Sequence, residues 1–291
     1  MLPAVYAVKD ILFDDDSCRQ FLIDNNVFYE SLTCAGCQSQ TTRRLDRFTF
    51  QCPKKQCRKE FSMRKHTFFF GSMLKCSEIL YLAYLWLNRV STSSAITMTG
   101  HSPNTVSAFY SHFRKLVAAS LNEEAQVIGG PGTIVEVDET KMGKRKYNRG
   151  HRVEGAWVVA GIERTEERRV FLVRVDERSR ETLVDIISRH VAPGSVVHTD
   201  CWRGYLDLEE FVEIEHRSVN HSIGFKDYET GVHTNYIEGT NNALKIRISP
   251  RCRTKDLIDE HLLEFIWRRN NQKELWNSFI SALREIYYDL E

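Results

Sequence analysis

The amino-acid sequence predicts an α/β protein whose main domain is a mixed sheet with flanking helices, preceded by two small N-terminal modules. Three features predict this architecture: two close cysteine pairs, an apolar stretch followed by residues at helical spacing, and β-branched segments interrupted by one helical segment. At 291 residues the chain is long enough for two or three domains, each with its own core. The predicted divisions are an N-terminal segment (1–27), a first module (28–70), a second module (71–122) and a last domain that includes the C-terminal helices (130–291).

The composition is that of an ordinary globular protein, with 42% hydrophobic and 27% charged residues. The longest unbroken apolar run, residues 79–87, is far shorter than the roughly 20 residues that a membrane-spanning helix needs. The N-terminus also lacks the apolar stretch of a signal peptide. We therefore expect an intracellular protein with no membrane partner, located in the nucleus if the host is eukaryotic.

Positive charge is concentrated in two places, although the formal net charge is only +1. Residues 28–75 carry ten lysines and arginines against three acids, and residues 141–152 carry six against none. Aromatic residues are interleaved with the first group. This distribution predicts two surfaces for a polyanion such as DNA, with ordinary solvated faces as the alternative.

The two close cysteine pairs predict a zinc ribbon. Cys34-Ala-Gly-Cys37 and Cys52-Pro-Lys-Lys-Gln-Cys57 are separated by fourteen residues, and strand-like segments lie between and after them. Four thiolates on two tight turns can form the tetrahedral site that Zn²⁺ prefers. Disulfides are the alternative, and the absence of a secretory signal argues against them. The basic residues of this module that we expect to contact DNA phosphates are Arg43, Arg44, Lys54 and Lys55.

The second module is predicted to be helical and helix-turn-helix-like. The apolar run 79–87 suits a buried helix, and the following segment divides at Gly100 into two helical stretches. Ser102 can cap the second stretch, with Pro103 at its first helical position. Such a pair resembles a DNA-binding helix-turn-helix. A plain helical hairpin that links two domains fits the pattern equally well.

The last domain begins after a Gly-Gly-Pro-Gly boundary at residues 129–132 and opens with strand-like segments. Residues 133–143, 156–164 and 168–177 are predicted to form an antiparallel meander, followed by a helix from Ser179 and a parallel strand that ends on Asp200. Three strands, a helix and a returning strand form the opening of a ribonuclease-H-like fold.

Acidic residues at the ends of these elements predict a divalent metal site. Successive side chains of a strand point to opposite faces, so Glu136 and Asp138 lie on one face of the first strand and Glu139 on the other. The returning strand brings Asp200 beside Asp138. Glu238 lies in the first turn of a helix from Asn235, with Asn241, Asn242 and Lys245 on the same side. The three acids Asp138, Asp200 and Glu238 can bind Mg²⁺ or Mn²⁺, and Lys245 can contact phosphate. A capping box at Asn235-x-x-Glu238 and a helix cap at Asp200 are the alternatives.

The motifs "VEVDETKMGKRKYNRG", "HTDCWRGY", "VNHS" and "HTNYIEG", in this order and spacing, resemble the DDE transposases of the Merlin superfamily and related bacterial insertion sequences. The resemblance covers roughly residues 28–275. It implies a ribonuclease-H-like catalytic domain, dependence on Mg²⁺ or Mn²⁺, and movement of DNA with terminal inverted repeats. It also implies that Asp138, Asp200 and Glu238 are the catalytic acids. Asn241 stands where the family usually has tryptophan.

These observations lead to the expectation of a metal-dependent DNA transposase that acts on double-stranded DNA by a two-metal mechanism. The resemblance implies a homodimer. A basic loop beside the first strand is expected to guide the DNA backbone; its members are Lys144, Arg145, Lys146, Arg149 and Arg152. His221 and His233 are expected to contact phosphate or the third-acid helix, or to serve in polar packing, and Trp157 and Trp202 to lie in the core. The alternatives are a domesticated transposase-derived DNA-binding protein without catalytic activity and a structure-specific nuclease.

Overall fold

The computed structural model describes residues 2–122, 127–143, 155–219 and 231–288. The helices are α1 (Val5–Phe13), α2 (Asp15–Asp24), α3 (Cys76–Leu87), α4 (Thr92–Thr99), α5 (Pro103–Ala119), α6 (Arg180–His190), α7 (Asn235–Arg247), α8 (Ile258–Asn270) and α9 (Leu275–Glu285). The strands are β1 (Thr42–Arg44), β2 (Thr49–Gln51), β3 (Glu60–Ser62), β4 (Ile128–Gly129), β5 (Ile134–Lys141), β6 (Trp157–Glu163), β7 (Val170–Val175), β8 (Val191–Ala192), β9 (Val196–Asp200) and β10 (Glu215–Val219). No helix in these ranges is both long and apolar enough to span a membrane.

The chain forms two compact units, Met1–Ser120 with Asn271–Glu291, and Leu121–Asn270. Helix α9 therefore groups with the N-terminal unit, whereas the sequence analysis assigned it to the last domain. Its apolar face explains the difference, because Phe279 packs its ring against Trp86 and Phe113 of the first unit. An amphipathic pattern predicts that a helix has a buried face, but not which core covers that face.

The first unit contains the cysteine-bearing module, a three-stranded sheet in which β2 pairs antiparallel with β1 and β3. Each strand has only three residues. Phe50 on the central strand is fully buried, and Phe28 lies edge-on to Phe48 beside it. Small modules of this kind are commonly stabilised by metal ions or disulfides as well as by a core.

Helices α3, α4 and α5 confirm the prediction of a helical module. Helix α3 is buried along most of its length. Gly100 ends α4 in the left-handed conformation with φ of 72°, which glycine adopts without steric cost. The Ser102 hydroxyl accepts a hydrogen bond from the Thr105 N–H at 3.1 Å, and Pro103 follows as the first helical residue of α5.

The second unit contains a five-stranded mixed sheet in the order β10-β9-β5-β6-β7. Strands β5, β6 and β7 form the predicted antiparallel meander. After α6, strand β9 returns parallel to β5, as predicted, and β10 extends the sheet in parallel on the outer side. Strand β5 thus occupies the centre of the sheet.

Apolar side chains cover both faces of this sheet. On one face, Leu183 and Ile187 of α6 join Val135 and Val137 in one core. On the other face, every second residue of β6 packs with Ile237 of α7 and with residues of α8 in a second core. The alternation along β5 therefore sends Glu136 and Asp138 toward α7, and Glu139 toward the α6 side.

Candidate active site and candidate zinc centre

The four cysteines of the first unit form a compact cluster. Their sulfur atoms all lie within 4.8 Å of one another, with 3.6 Å between the Sγ atoms of Cys34 and Cys57 and 3.4 Å between those of Cys37 and Cys52. A tetrahedral Zn²⁺ site with Zn–S bonds of about 2.3 Å requires S–S separations of about 3.8 Å. The cluster therefore fits zinc, and the cysteines are free thiols.

The unequal spacing of the two cysteine pairs has a simple structural reason. In the first pair, the Cys34 carbonyl accepts from the N–H groups of Cys37 and Gln38. In the second pair, the Lys54 carbonyl accepts from Cys57 and Arg58 in the same way. The two turns are equivalent, and Cys52 lies two residues before its turn. The wider spacing thus leaves the four-cysteine geometry intact.

The turn around Cys37 favours its thiolate form. Hydrogen bonds from the Ser39 N–H and hydroxyl, followed by the Cys52 thiol, lower the pKa of Cys37 to about 6. Zinc binds the thiolate, so a low pKa reduces the free energy needed to remove the proton at neutral pH.

The register of the large sheet aligns two of the predicted acids. Strands β5 and β9 pair Ile134 with Val196 and Glu136 with His198, a constant offset of 62 positions. The same offset relates Asp138 to Asp200, which are two residues further along their strands. Side chains two residues apart share a face, so both carboxylates point to the α7 side at neighbouring positions.

Asp138 is held in a fixed orientation and is strongly influenced by its acidic neighbours. Its Oδ1 accepts from the Glu139 N–H and its Oδ2 accepts from the Asn241 side-chain amide, each at 2.8 Å. Burial and then the charge of Asp200 raise the pKa of Asp138 to about 6, with a further contribution from Glu238. Asp200 and Glu238 are therefore both within electrostatic range of Asp138.

The other two acids occupy the ends of their elements. Asp200 ends β9, and its Oδ1 accepts from the Trp202 N–H at 2.9 Å, so this carboxylate also stabilises the turn that follows. Glu238 is exposed in the first turn of α7. The N-cap of this helix is Thr234, one residue earlier than the capping-box alternative requires.

Glu136, which the sequence analysis did not select, caps α7 instead. Its carboxylate is completely buried, and Oε2 accepts from the N–H groups of Tyr236 at 2.9 Å and Ile237 at 3.0 Å. Its Oε1 accepts from Arg164 Nε at 2.5 Å. The period-two pattern placed Glu136 beside Asp138, but nothing in the sequence indicated that its partner is a helix 100 residues away.

Arg164 and two histidines complete this buried cluster. Arg164 donates to the His233 carbonyl at 2.7 Å and lies 2.9 Å from the His233 Nδ1 atom. His198 pairs with Glu136 across the strands, and burial followed by the Arg164 charge lowers the pKa of His198 to about 4. His198 is therefore neutral at physiological pH. His233 also contacts the third-acid helix α7, one of the predicted alternatives, because its Nδ1 accepts from the Asn235 N–H at 3.4 Å and its ring stacks on that of Tyr236.

A separate polar group lies on the opposite face of β5. Burial raises the pKa of Glu139 to about 7, while the Tyr205 hydroxyl and Arg178 favour its charged form. The Arg178 guanidinium lies 3.7 Å from the ring centre of Trp157 and 5.2 Å from that of Trp202. Both tryptophans are half-buried against the α6-side core, where they were expected.

The predicted phosphate-contacting residues differ in their surroundings. Lys245 is exposed on α7, and Lys54 and Lys55 are exposed on the second cysteine turn. Arg44 pairs with Asp46, whereas Arg43 donates two hydrogen bonds to the carbonyls of Phe28 and Tyr29 and so braces its own module. Outside the described residues lie Lys144, Arg145, Lys146, Arg149, Arg152 and His221.

The acids fit hard divalent cations, although they are less tightly grouped than the cysteines. Within residues 2–122, 127–143, 155–219 and 231–288, the cysteines form the one group of three or more metal-ligating side chains whose ligand atoms all lie within 4.8 Å. A cation beside Asp138 would offset the repulsion from the neighbouring acids, and carboxylate oxygens are the ligands that Mg²⁺ and Mn²⁺ prefer. The buried Asn241 Oδ1, which has no hydrogen-bond partner among the described residues, adds an uncompensated oxygen beside Asp138.

Comparison with known proteins gives two similarities. The family model of the ISXO2-like transposase domain matches residues 128–270, which span the five-stranded sheet and helices α6 to α8. A curated protein of Haemophilus influenzae, an uncharacterized transposase-like protein, is 32% identical over 122 residues. This match covers 40% of the present chain and 93% of the Haemophilus protein.

Proposed function

This chain belongs to the ISXO2-like transposase family, and from this premise we propose that it is a DNA transposase that cuts and joins phosphodiesters at the ends of a mobile element. The observation that carries the proposal is the convergence of Asp138, Asp200 and Glu238 from two strands and a helix onto one side of the sheet. Each of the other two acids raises the pKa of Asp138.

We further propose that the catalytic domain has the ribonuclease-H-like fold. The support is the strand order β10-β9-β5-β6-β7. Strands β6 and β7 continue antiparallel on one side of β5, and the two parallel strands β9 and β10 lie on its other side. In this arrangement the ends of β5 and β9 lie side by side. That register explains why Asp138 and Asp200, the first two of the three acids, occupy neighbouring positions.

Asp138, Asp200 and Glu238 would hold divalent cations. When bound, Mg²⁺ or Mn²⁺ supplies Lewis-acid activation of the attacking oxygen and neutralises charge that develops at phosphorus. The protein's own contribution is to orient the carboxylates in advance. Asn241 and the Glu139 N–H fix the two oxygens of Asp138, and the Trp202 N–H fixes one oxygen of Asp200.

The reaction consists of two displacements at phosphorus. In the first, water attacks at the element end, the P–O3′ bond breaks, and a 3′-hydroxyl and a 5′-phosphate result. In the second, this 3′-hydroxyl attacks a target phosphodiester, forms a new P–O3′ bond and releases a 3′-hydroxyl of the target. Neither step needs a covalent bond to the protein, so a serine or tyrosine nucleophile is unnecessary.

Double-stranded DNA would contact basic residues on both units. Lys245 would lie against a phosphate near the acids, and Lys54 and Lys55 on the zinc module would also bind the DNA backbone. The basic loop that contains Lys144 to Arg152 would act with them. Since an element has two ends, we also propose a homodimer.

The test is an assay of the full-length protein on a duplex that carries the terminal repeats flanking the gene. Mg²⁺ or Mn²⁺ should produce both cut and joined strands. Asp138→Asn should abolish both products and keep DNA binding, whereas Asp259→Asn, an exposed acid on α8, should behave as the wild type. Binding without cutting would support the DNA-binding alternative, and cutting without joining would support a nuclease.

A further inference from the structure

Helix α7 is attached to strand β5 at two places. The buried Glu136 carboxylate accepts the Tyr236 and Ile237 N–H groups, and the Asn241 amide donates to Asp138 Oδ2. Glu136 and Asp138 are two residues apart on one strand face. On the helix, the third acid Glu238 lies between the two attachment points.

The spacing of the attachments matches on the two elements. Two residues along a strand advance by about 6.6 to 6.8 Å. The four to five residues from Tyr236 and Ile237 to Asn241 advance by about 6 to 7.5 Å along a helix. A shift of α7 by one residue would break both attachments together. The two contacts therefore fix the position of the helix along β5.

The first attachment combines several favourable interactions. A carboxylate at a helix N-terminus accepts two N–H groups that otherwise have no partner within the helix, and it also interacts with the positive end of the helix dipole. Arg164 compensates the buried charge of Glu136 and binds the His233 carbonyl just before the helix. Glu136 on β5 and Arg164, the residue that follows β6, thus fix the start of α7 in place.

The second attachment leads directly to a catalytic acid. Asn241 is only 4% exposed, and its side chain touches Asp138 from the turn after Glu238. We infer that Glu136 and Asn241 are positioning residues, which clamp α7 against β5 so that Glu238 is held at the required distance from Asp138 and Asp200. This inference rests on the proposed function, and it gives Asn241 a role that the family resemblance does not supply.

The experiment compares full-length Glu136→Gln and Asn241→Ala with two matched controls. Glu163→Gln removes another buried carboxylate of the same sheet, which accepts hydrogen bonds from Arg169, the Thr165 hydroxyl and the Gly129 N–H. Thr240→Val changes a buried hydroxyl of α7 that bonds the helix itself. Thermal unfolding of each variant reports its loss of stability separately from its activity.

Both clamp variants should lose about 10- to 100-fold in kcat, as supporting residues of metal sites typically do, with KM for DNA unchanged. Their Mn²⁺ affinity, measured by electron paramagnetic resonance without DNA, should fall by a similar factor. The controls should keep kcat and Mn²⁺ affinity even where they lose stability. Glu136→Asp, which keeps the charge, should recover part of the loss.

Hydrogen exchange provides a readout that does not depend on activity. Glu136→Gln should accelerate exchange at the Tyr236 and Ile237 amides more than Glu163→Gln does. If the clamp variants match their controls in Mn²⁺ affinity and in exchange, the inference is wrong even if the wild type cuts DNA. If the wild type binds Mn²⁺ in a clamp-dependent way and cuts no DNA, the proposed function fails and the clamp stands.

Discussion

Asp138 is the residue on which most interactions of the site converge. It accepts two hydrogen bonds and is half-buried between like charges. The hydrogen bonds favour its charged form, whereas burial and Asp200 oppose that form and outweigh them. A carboxylate with a raised pKa in the absence of cations is what a metal-binding cluster should contain, because the cation supplies the missing compensation.

The raised pKa predicts how stability depends on pH without added divalent metal. The folded pKa of Asp138 is about 6 and its ordinary value is 3.8, so its favourable contribution is complete below pH 3.8 and is lost as pH rises through about 6. At pH 8, Asp138→Asn should therefore be more stable than the wild type by about 3 kcal/mol, and near pH 4 the difference should vanish. Urea unfolding at a series of pH values measures this.

Asp46→Asn is the matched control for the sign. The Arg44 side chain lowers the pKa of Asp46, so its contribution is present above the ordinary value and is lost as pH falls. Its pH-dependent difference from the wild type should be small and of opposite sign. An equal gain for Asp138→Asn at pH 4 and pH 8 would show that the carboxylate is not destabilised by ionisation.

At the scale of elements, helix starts in this protein are stabilised in two different ways. Helix α5 is capped by its own preceding residue, Ser102, in the pattern that the sequence predicted. Helix α7 has Thr234 at its N-cap without a side-chain cap bond, and a carboxylate from another element binds its first N–H groups. A local cap can be recognised in sequence, whereas a cap from a distant strand cannot.

The local cap of α5 gives a prediction for an isolated element. Ser102→Ala should lower the free energy of unfolding by about 1 kcal/mol, because the Thr105 N–H loses its acceptor. Ser107→Ala, an exposed position inside the same helix, should be neutral or slightly stabilising because alanine has the higher helix propensity. Chemical denaturation of the two variants decides this. Equal stability of both would rule out a contribution from the Ser102 hydroxyl.

At the scale of the whole molecule, the two units depend on different sources of stability. Leu121–Asn270 has apolar cores on both faces of a five-stranded sheet. The cysteine module of the first unit has three strands of three residues and one fully buried phenylalanine on its central strand. A metal cross-link is a common source of stability for a module of this size, and its four cysteines fit one.

Removal of zinc should therefore affect the two units unequally. With a zinc chelator, hydrogen exchange of the full chain should become fast in residues 28–70 and stay slow in β5 and β6. Added Zn²⁺ should restore protection, and Mg²⁺ should not, because thiolates are soft ligands. Unchanged exchange in residues 28–70 after zinc is removed would contradict a structural metal.

The sequence by itself determined the main strands and helices of the large sheet up to β9, the helical stretches around Gly100 and the paired cysteine turns. Local rules are enough for this: period two along β5, the glycine turn before α5, and cysteines on paired turns. Even the neighbouring positions of Asp138 and Asp200 followed from the chain order of strand, meander, helix and returning strand, because connection rules leave few topologies.

Only the tertiary structure decided which distant groups satisfy one another. Glu136 and Asn241 bind partners about 100 residues away, and Arg43, predicted to contact DNA, bonds carbonyls within its own module. Helix α9 carries an apolar face that could have joined either unit. The physical reason is common to all of them: buried polar and apolar groups must find partners, and the partner is chosen by packing in three dimensions rather than by separation along the chain.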